Sequence, residues 1–137
     1  MKNTNKLLLG LFLIFHITSC NMNKGLHTNG IFIHSGDVGN VKFTGNTLYD
    51  AKTEVYHLRG SGTNMWFGED EFHFAWTKMK GNLILNTQVE FIGTGVDPHR
   101  KAGLIIRENM ETGSPYVSAA LHGDGLVSMQ YRLEQDS

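Results

Sequence analysis

Cysteine is nearly absent from the chain, since Cys20 is the only one in 137 residues. Without a second cysteine no disulfide can form within the chain, and no cluster of thiolates can hold a metal. Charge of one sign is also scarce, because 12 Lys and Arg face 13 Asp and Glu. This balance excludes a strongly basic surface that captures nucleic acid or an anionic membrane by charge. Stability must therefore come from packing, and the length suffices for one core.

Long apolar runs are missing too, since the stretch over residues 7–15 is far shorter than the roughly 20 residues that cross a bilayer. This stretch follows Lys2 and Lys6 and precedes Ile17-Thr18-Ser19-Cys20, an order typical of an export signal. Residues 17–20 resemble the bacterial lipobox, which implies cleavage before Cys20 and lipid attachment there. Two or more acyl chains anchor a protein firmly. An ordinary secretion signal with a chance cysteine is the alternative.

We therefore expect three parts: a lipoprotein signal over residues 1–20, a tether over residues 21–40 and a folded domain over residues 41–137. The expected tether is rich in Asn, Lys, Gly, Thr and Ser, with one apolar patch at Ile31-Phe32-Ile33 that leads into a first strand. The expected location is the bacterial cell envelope, either periplasmic or on the surface, with the domain exported and lipid-anchored.

From Val41 onward, short β-rich segments recur between Gly, Asn and Asp turns, and this pattern predicts an all-β domain. The clearest predicted strand covers residues 83–91, in which apolar and polar side chains largely alternate. The other predicted strands are residues 47–49, 54–58, 70–76, 103–107, 116–122 and 126–132. So many half-buried strands need a facing layer, and two stacked antiparallel sheets supply it.

The alternation also predicts which side chains face the core. Phe72, Phe74 and Trp76 are expected inside, and residues 103–107, apolar on both faces, are expected to form a central covered strand. Residues 116–122 and 126–132 are expected to form a hairpin around His122-Gly123-Asp124-Gly125. Its predicted inner side chains are Val117, Ala119, Leu121, Val127, Met129 and Tyr131, and its predicted outer ones are Tyr116, Ser118, Ala120, His122, Ser128, Gln130 and Arg132.

Several stretches of the chain resemble a group of secreted bacterial proteins. They are residues 60–67, 71–76, 95–107 and 122–125. Those proteins belong to the concanavalin A-like lectin and glucanase superfamily, near the domain labelled "regulation of enolase" and the accessory sandwich of some β-xylosidases. The resemblance, over residues 37–132, implies an antiparallel two-sheet jelly-roll sandwich with saccharides bound on a concave sheet. Because the family pattern continues beyond a point matching Ser137, we expect the sandwich to be incomplete at its C-terminus.

The outward sides of the predicted strands collect amide, carboxylate, guanidinium and aromatic groups, the types that recognise sugar hydroxyls and ring C–H groups. The predicted ligand-binding residues are Trp66, Glu71, His73, Arg107, Tyr116, His122, Gln130 and Arg132. The leading hypothesis is a non-catalytic domain that binds a carbohydrate or similar polyhydroxylated ligand. Plain solvation of an antiparallel sheet is the alternative for these side chains except Trp66, for which the alternative is packing in the core. A structural or protein-interaction module is the alternative function.

Catalytic and metal chemistry have little basis in the sequence. Glu69, Asp70 and Glu71 are adjacent, and nothing downstream completes a glycosidase pair, although an enzyme using Glu71 or Asp97 stays open. We therefore assign no catalytic residue and no cofactor. Asp97 is a weak candidate ligand for Ca²⁺, with turn capping as the simpler role. A zinc site at His99 and His122 lacks the usual local partner.

Overall fold

The computed structural model describes residues 30–95 and 97–137, and all regular structure in these ranges is β. It comprises β1 (His34–Val38), β2 (Asn46–Asp50), β3 (Val55–Arg59), β4 (Met65–Trp66), β5 (Glu69–Asp70), β6 (Phe72–Trp76), β7 (Lys101–Arg107), β8 (Tyr116–His122) and β9 (Val127–Arg132). The all-β prediction is confirmed. In the described ranges no helix is present that could span a bilayer. The predicted signal segment and Cys20 lie outside the described residues.

The longest strands form one antiparallel sheet in the order β7-β8-β9. The predicted hairpin joins β8 to β9, and the Asp124 carboxylate caps its turn by accepting the Leu126 N–H at 3.0 Å. Gly125 has a φ of +92° in this turn, a conformation that favours glycine. The prediction of a central strand over residues 103–107 is wrong, because β7 lies at the edge and β8 in the middle.

Two further antiparallel pairs lie side by side. β2 and β3 form the hairpin expected from the earlier part of the chain, and β1 pairs with β6 so that Val38 lies opposite Phe72. β1 falls inside the stretch expected to be a tether, so ordered structure begins before residue 41. The predicted strand over residues 70–76 is divided, because β5 belongs to a short hairpin with β4 and β6 belongs with β1.

The prediction of a strand over residues 83–91 is wrong. No strand lies between β6 and β7 in the described part of the chain. The alternation that suggested a strand persists in the burial of the side chains, because Leu85, Val89 and Phe91 are half-buried whereas Asn86 and Glu90 are exposed. What is missing is a hydrogen-bonded neighbour, which a side-chain pattern does not specify.

The predicted orientation of the β7-β8-β9 sheet is also wrong. The expected outer side chains Tyr116, His122 and Arg132 are 9 %, 6 % and 5 % exposed. Val127, Met129 and Tyr131, expected inside, are instead 71 %, 74 % and 64 % exposed. Period two is therefore correct on these strands, but the polar face is the covered one, because side chains from β5 and β6 pack against it.

Candidate functional site

A buried charge cluster, Asp70 with Arg107 and Arg132, joins the β4-β5 hairpin to the three-stranded sheet. Arg132 donates two hydrogen bonds to the Asp70 carboxylate, from Nη1 at 2.9 Å and from Nη2 at 2.8 Å. Arg107 Nη2 lies 3.4 Å from Asp70 Oδ2, and Asp70 is 0 % exposed. Such a two-point pair matches the planar guanidinium to the carboxylate. The cluster therefore fixes the hairpin relative to β7 and β9.

Neighbouring groups also contact the two guanidinium groups of this cluster. Arg132 also donates to the Ser114 carbonyl at 3.0 Å, and the Arg107 guanidinium carbon lies 5.0 Å from the Phe72 ring centroid. The hydrogen bonds to Asp70 raise the pKa of Arg132. Burial lowers the pKa of Arg107, and the nearby charge of Asp70 opposes this effect. Burial likewise raises the pKa of Tyr116, which lies between the two arginines on β8.

A second network, the His73 hydrogen-bond chain, is partly buried and comprises Asp37, His73 and Thr47. His73 Nδ1 lies 2.7 Å from Asp37 Oδ1, and His73 Nε2 lies 2.9 Å from Thr47 Oγ1. Because an ionised carboxylate only accepts, the hydrogen belongs on Nδ1, and a neutral ring then accepts the Thr47 hydroxyl hydrogen at Nε2. The His73 side chain is 4 % exposed. The chain therefore connects the β1-β6 pair to the β2-β3 hairpin inside the fold.

The β4-β5 hairpin places two aromatic side chains in solvent. Trp66 is 61 % exposed, Phe67 is 74 % exposed, and their ring centroids are 6.3 Å apart. Phe67 occupies the first position of the two-residue turn with a φ of +53°. That conformation is rare for a bulky side chain, and Asn, Asp or Gly normally occupies this position in such turns. The fold therefore holds an aromatic tip, Trp66 with Phe67, outside its core at a cost in backbone strain.

A polar groove of about 340 Å³ lies beside this tip. We call it the hairpin groove, and its lining residues are Gly39, Asn40, Glu69, Asp70, Glu71 and Thr112. Trp66 and Glu69 are directly opposed in the hairpin, which places their side chains on one side of it. Gly39, with a φ of +74°, brings its Cα against the Asp70 carbonyl, where a Cβ would clash. In the described ranges no hydrogen bond engages the side chains of Asn40, Glu69 or Thr112.

The predicted site residues fall into two groups. Trp66 and Glu71 are near or in the hairpin groove, and Glu71 Oε2 also accepts the Thr63 N–H at 2.9 Å. The remaining predicted residues lie on β6 or on the covered face of the β7-β8-β9 sheet. They are His73, Arg107, Tyr116, His122, Gln130 and Arg132. The expectation that these side chains point into solvent is wrong for His73, Arg107, Tyr116, His122 and Arg132, since the fold buries them in pairs or networks.

The loop candidates have local roles. Asp97 Oδ1 accepts the His99 N–H at 2.7 Å, which is the geometry of a turn cap. His99 and His122 meet edge to face with ring centroids 6.5 Å apart, and His122 Nε2 lies 2.9 Å from Ser128 Oγ. Backbone hydrogen bonding from Leu126 lowers the pKa of Asp124. Across the residues that the structure covers, no group of three or more potential metal ligands converges.

Several residues of these sites carry no signal in the sequence. Asn40 and Thr112 reach the hairpin groove from loops far apart in the chain, and Asp37 lies 36 positions from His73. Pairing of β1 with β6 creates the contact between Asp37 and His73, and no local pattern reports that pairing. Comparison with protein-family models, curated proteins and solved structures gives no significant match to this chain.

Proposed function

We propose that this protein is a non-catalytic domain that binds saccharides in the hairpin groove, with Trp66 stacking on a sugar ring. The observation that carries the proposal is the exposed indole of Trp66 directly across the hairpin from Glu69, which lines the groove. An indole in solvent has apolar surface available for the C–H face of a sugar. The volume of the groove falls within the range of small-molecule sites.

The polar side chains of the groove favour neutral or amino sugars. Asn40 offers an amide, Thr112 a hydroxyl, and Glu69 and Glu71 offer carboxylates that accept hydrogen bonds from sugar hydroxyls. Two carboxylates that line the same groove disfavour a uronic acid or a sulfated sugar. The guanidinium groups of the charge cluster do not line the groove, because the Arg107 and Arg132 side chains are buried against Asp70.

A concanavalin A-like sandwich remains part of this proposal. Contacts of Asp70 and Phe72 with Arg107 support it, because they bring side chains of β5 and β6 onto one face of the β7-β8-β9 sheet. Two facing layers of antiparallel strands are the basis of a jelly roll. The proposed ligand site differs from the concave-sheet site that the resemblance implies, because it lies at the short hairpin.

Glycan-array binding followed by titration calorimetry tests the saccharide proposal, with the full chain carrying Cys20→Ala to remove the lipid acceptor. We expect binding to neutral or amino sugars, with Trp66→Ala weakening it by about tenfold or more, as for a central aromatic contact. Tyr131→Ala is the matched control, because Tyr131 is 64 % exposed but lies on β9. A folded protein that binds no glycan, or binds equally well without Trp66, contradicts the proposal.

We further propose that the domain is exported and lipid-anchored at Cys20 in a bacterial envelope. The sequence order of Lys2 and Lys6, an apolar stretch and Ile17-Thr18-Ser19-Cys20 supports this. Metabolic labelling with a fatty-acid analogue in a bacterial host should mark the wild-type chain and leave Cys20→Ala unlabelled. Equal labelling of both, or of neither, contradicts the anchor without bearing on saccharide binding.

A further inference from the structure

The aromatic tip carries two exposed rings, of which the proposed function uses only Trp66. Phe67 is the more exposed of the two, at 74 %. In the part of the chain that the structure describes, the one ring in contact with Phe67 is that of Trp66. With a φ of +53°, Phe67 occupies a position that Gly, Asn or Asp adopts at lower cost. Packing within the fold therefore does not account for the Phe67 ring, which is available to a ligand.

The two rings are spaced and tilted in a way that suits neighbouring units of one sugar chain. Their centroids are 6.3 Å apart, and their planes make an angle of 48°. This separation is comparable to the length of one sugar unit in an extended chain, so each ring can contact a different unit. Because the planes are not parallel, a flat crystalline polysaccharide surface cannot cover both rings, whereas a single chain that twists between its units can.

Sugar units with two apolar faces suit such a pair of rings. In β-1,4-linked chains of glucose or N-acetylglucosamine the ring substituents are equatorial, so C–H groups cover both faces of every unit. Aromatic side chains pack against such faces whichever way a unit is turned. These sugars are also uncharged, which agrees with the carboxylates of Glu69 and Glu71 in the hairpin groove.

We infer that the ligand is a soluble β-1,4-linked oligosaccharide of glucose or N-acetylglucosamine, with one unit stacked on Trp66 and the next on Phe67. This inference rests on the proposed saccharide binding and adds the chain length and the class of sugar. Since Phe67 lies in the turn of the hairpin, the sugar chain runs from the hairpin groove past the aromatic tip. Units beyond the second then lie in solvent, and longer chains are accommodated.

A lipid bilayer suits the aromatic tip less well than a sugar chain does. Glu69 directly follows the turn, and the Asp136 carboxylate lies beside it, because a Cβ added to Gly68 would be 2.8 Å from Asp136 Oδ1. Insertion of the tip into lipid would take these carboxylates out of water, which is costly for a charged group. A hydroxyl-rich ligand leaves them hydrated or accepts their hydrogen bonding.

Nuclear magnetic resonance titration with mono-, di-, tri- and tetrasaccharides of both series tests the inference on the full chain carrying Cys20→Ala. We expect the disaccharide to bind about tenfold more tightly than the monosaccharide, with little further gain in longer chains. Phe67→Ala should abolish this gain and leave the monosaccharide affinity nearly unchanged, whereas Phe67→Tyr keeps a flat ring and should retain the gain. Trp66→Ala should weaken binding at every length. Tyr131→Ala, an exposed aromatic position on β9, is the matched control.

Equal affinity for the monosaccharide and the disaccharide overturns the inference, and so does a Phe67→Ala variant that is weakened equally at every length. Binding of other glycans without either series, or preference for crystalline cellulose or chitin over the soluble chains, also overturns it. Each of these results leaves the saccharide proposal standing, whereas a folded protein that binds no glycan contradicts both. Association with phosphatidylcholine vesicles that Phe67→Ala abolishes would assign the ring to a membrane instead. Circular dichroism of each variant separates loss of binding from loss of fold.

Discussion

The charge cluster and the His73 hydrogen-bond chain both connect strands of separate sheets, but only the charge cluster is built from permanent charges. It sets two guanidinium groups against one carboxylate, and Arg107 Nη1 has no hydrogen-bond partner among the described residues. The His73 chain contains a ring that can be neutral, a hydroxyl and a carboxylate that is partly exposed. Loss of one member should therefore leave uncompensated charge in the first network and an unpaired polar group in the second.

The largest effect is expected where two buried cations depend on one anion. Asp70→Ala should lower the free energy of unfolding by about 3–5 kcal/mol, the usual result of removing one partner of a buried ion pair. Glu69→Ala, on the same short strand but with an exposed side chain, should change stability by less than about 0.5 kcal/mol. Urea unfolding followed by tryptophan fluorescence measures both.

Asp70→Asn keeps the shape of the side chain and one acceptor, so its free energy of unfolding should fall less than that of Asp70→Ala. It therefore remains measurable if the alanine variant does not fold. Equal stability of Asp70→Ala and Glu69→Ala would mean that the charge cluster contributes nothing to the fold. A loss in Asp70→Asn close to that in Asp70→Ala would mean that the missing charge, which the two variants share, accounts for most of the effect.

The His73 chain should give a smaller loss. His73→Ala removes two hydrogen bonds and a buried ring, but Asp37 still accepts the Gly45 N–H at 3.1 Å and reaches solvent. We expect the free energy of unfolding to fall by about 2 kcal/mol, from lost hydrogen bonding and packing together. His57→Ala, an exposed position on β3, is the control and should have little effect. A loss as large as that of Asp70→Ala would erase the distinction between the two networks.

The β8-β9 hairpin shows which part of this fold can be predicted from the sequence and which part cannot. Alternation in residues 116–122 and 126–132 and the glycine-rich turn between them predict the β8-β9 hairpin correctly. The same alternation is compatible with either face being buried. Because polar side chains usually face solvent, the sequence predicts Arg132 and Tyr116 on the outer face. Asp70 reverses that expectation from 62 positions away, by pairing with Arg132.

The candidate site also depends on contacts that the sequence does not reveal. Trp66 is one of the predicted ligand-binding residues, and the structure leaves it exposed. The other walls of the hairpin groove come from Asn40 and Thr112, whose positions depend on how β1 and the loop after β7 meet the hairpin. Contacts of that kind arise from strand pairing between distant segments, for which a single sequence carries no direct pattern.

The smallest effect concerns the aromatic tip and separates stability from binding. Phe67 has a φ of +53°, which costs a side chain other than glycine about 1–2 kcal/mol. Phe67→Gly relieves this strain but increases the freedom of the unfolded chain, so we expect a net gain of no more than about 1 kcal/mol. Thermal unfolding of the full chain measures this gain.

Glu54→Gly is the matched comparison, because Glu54 has a φ of +57° in the β2-β3 turn and lies away from the hairpin groove. It should gain stability in the same way and leave saccharide binding unchanged. If the strained aromatic of Phe67 is retained because it borders the ligand, Phe67→Gly alone should weaken binding while it stabilises the fold. Backbone strain at functional sites commonly lowers stability while it supports binding or activity. A Phe67→Gly variant that is less stable than the wild type would mean that Phe67 contributes packing at the tip, and the strain would then need no functional explanation.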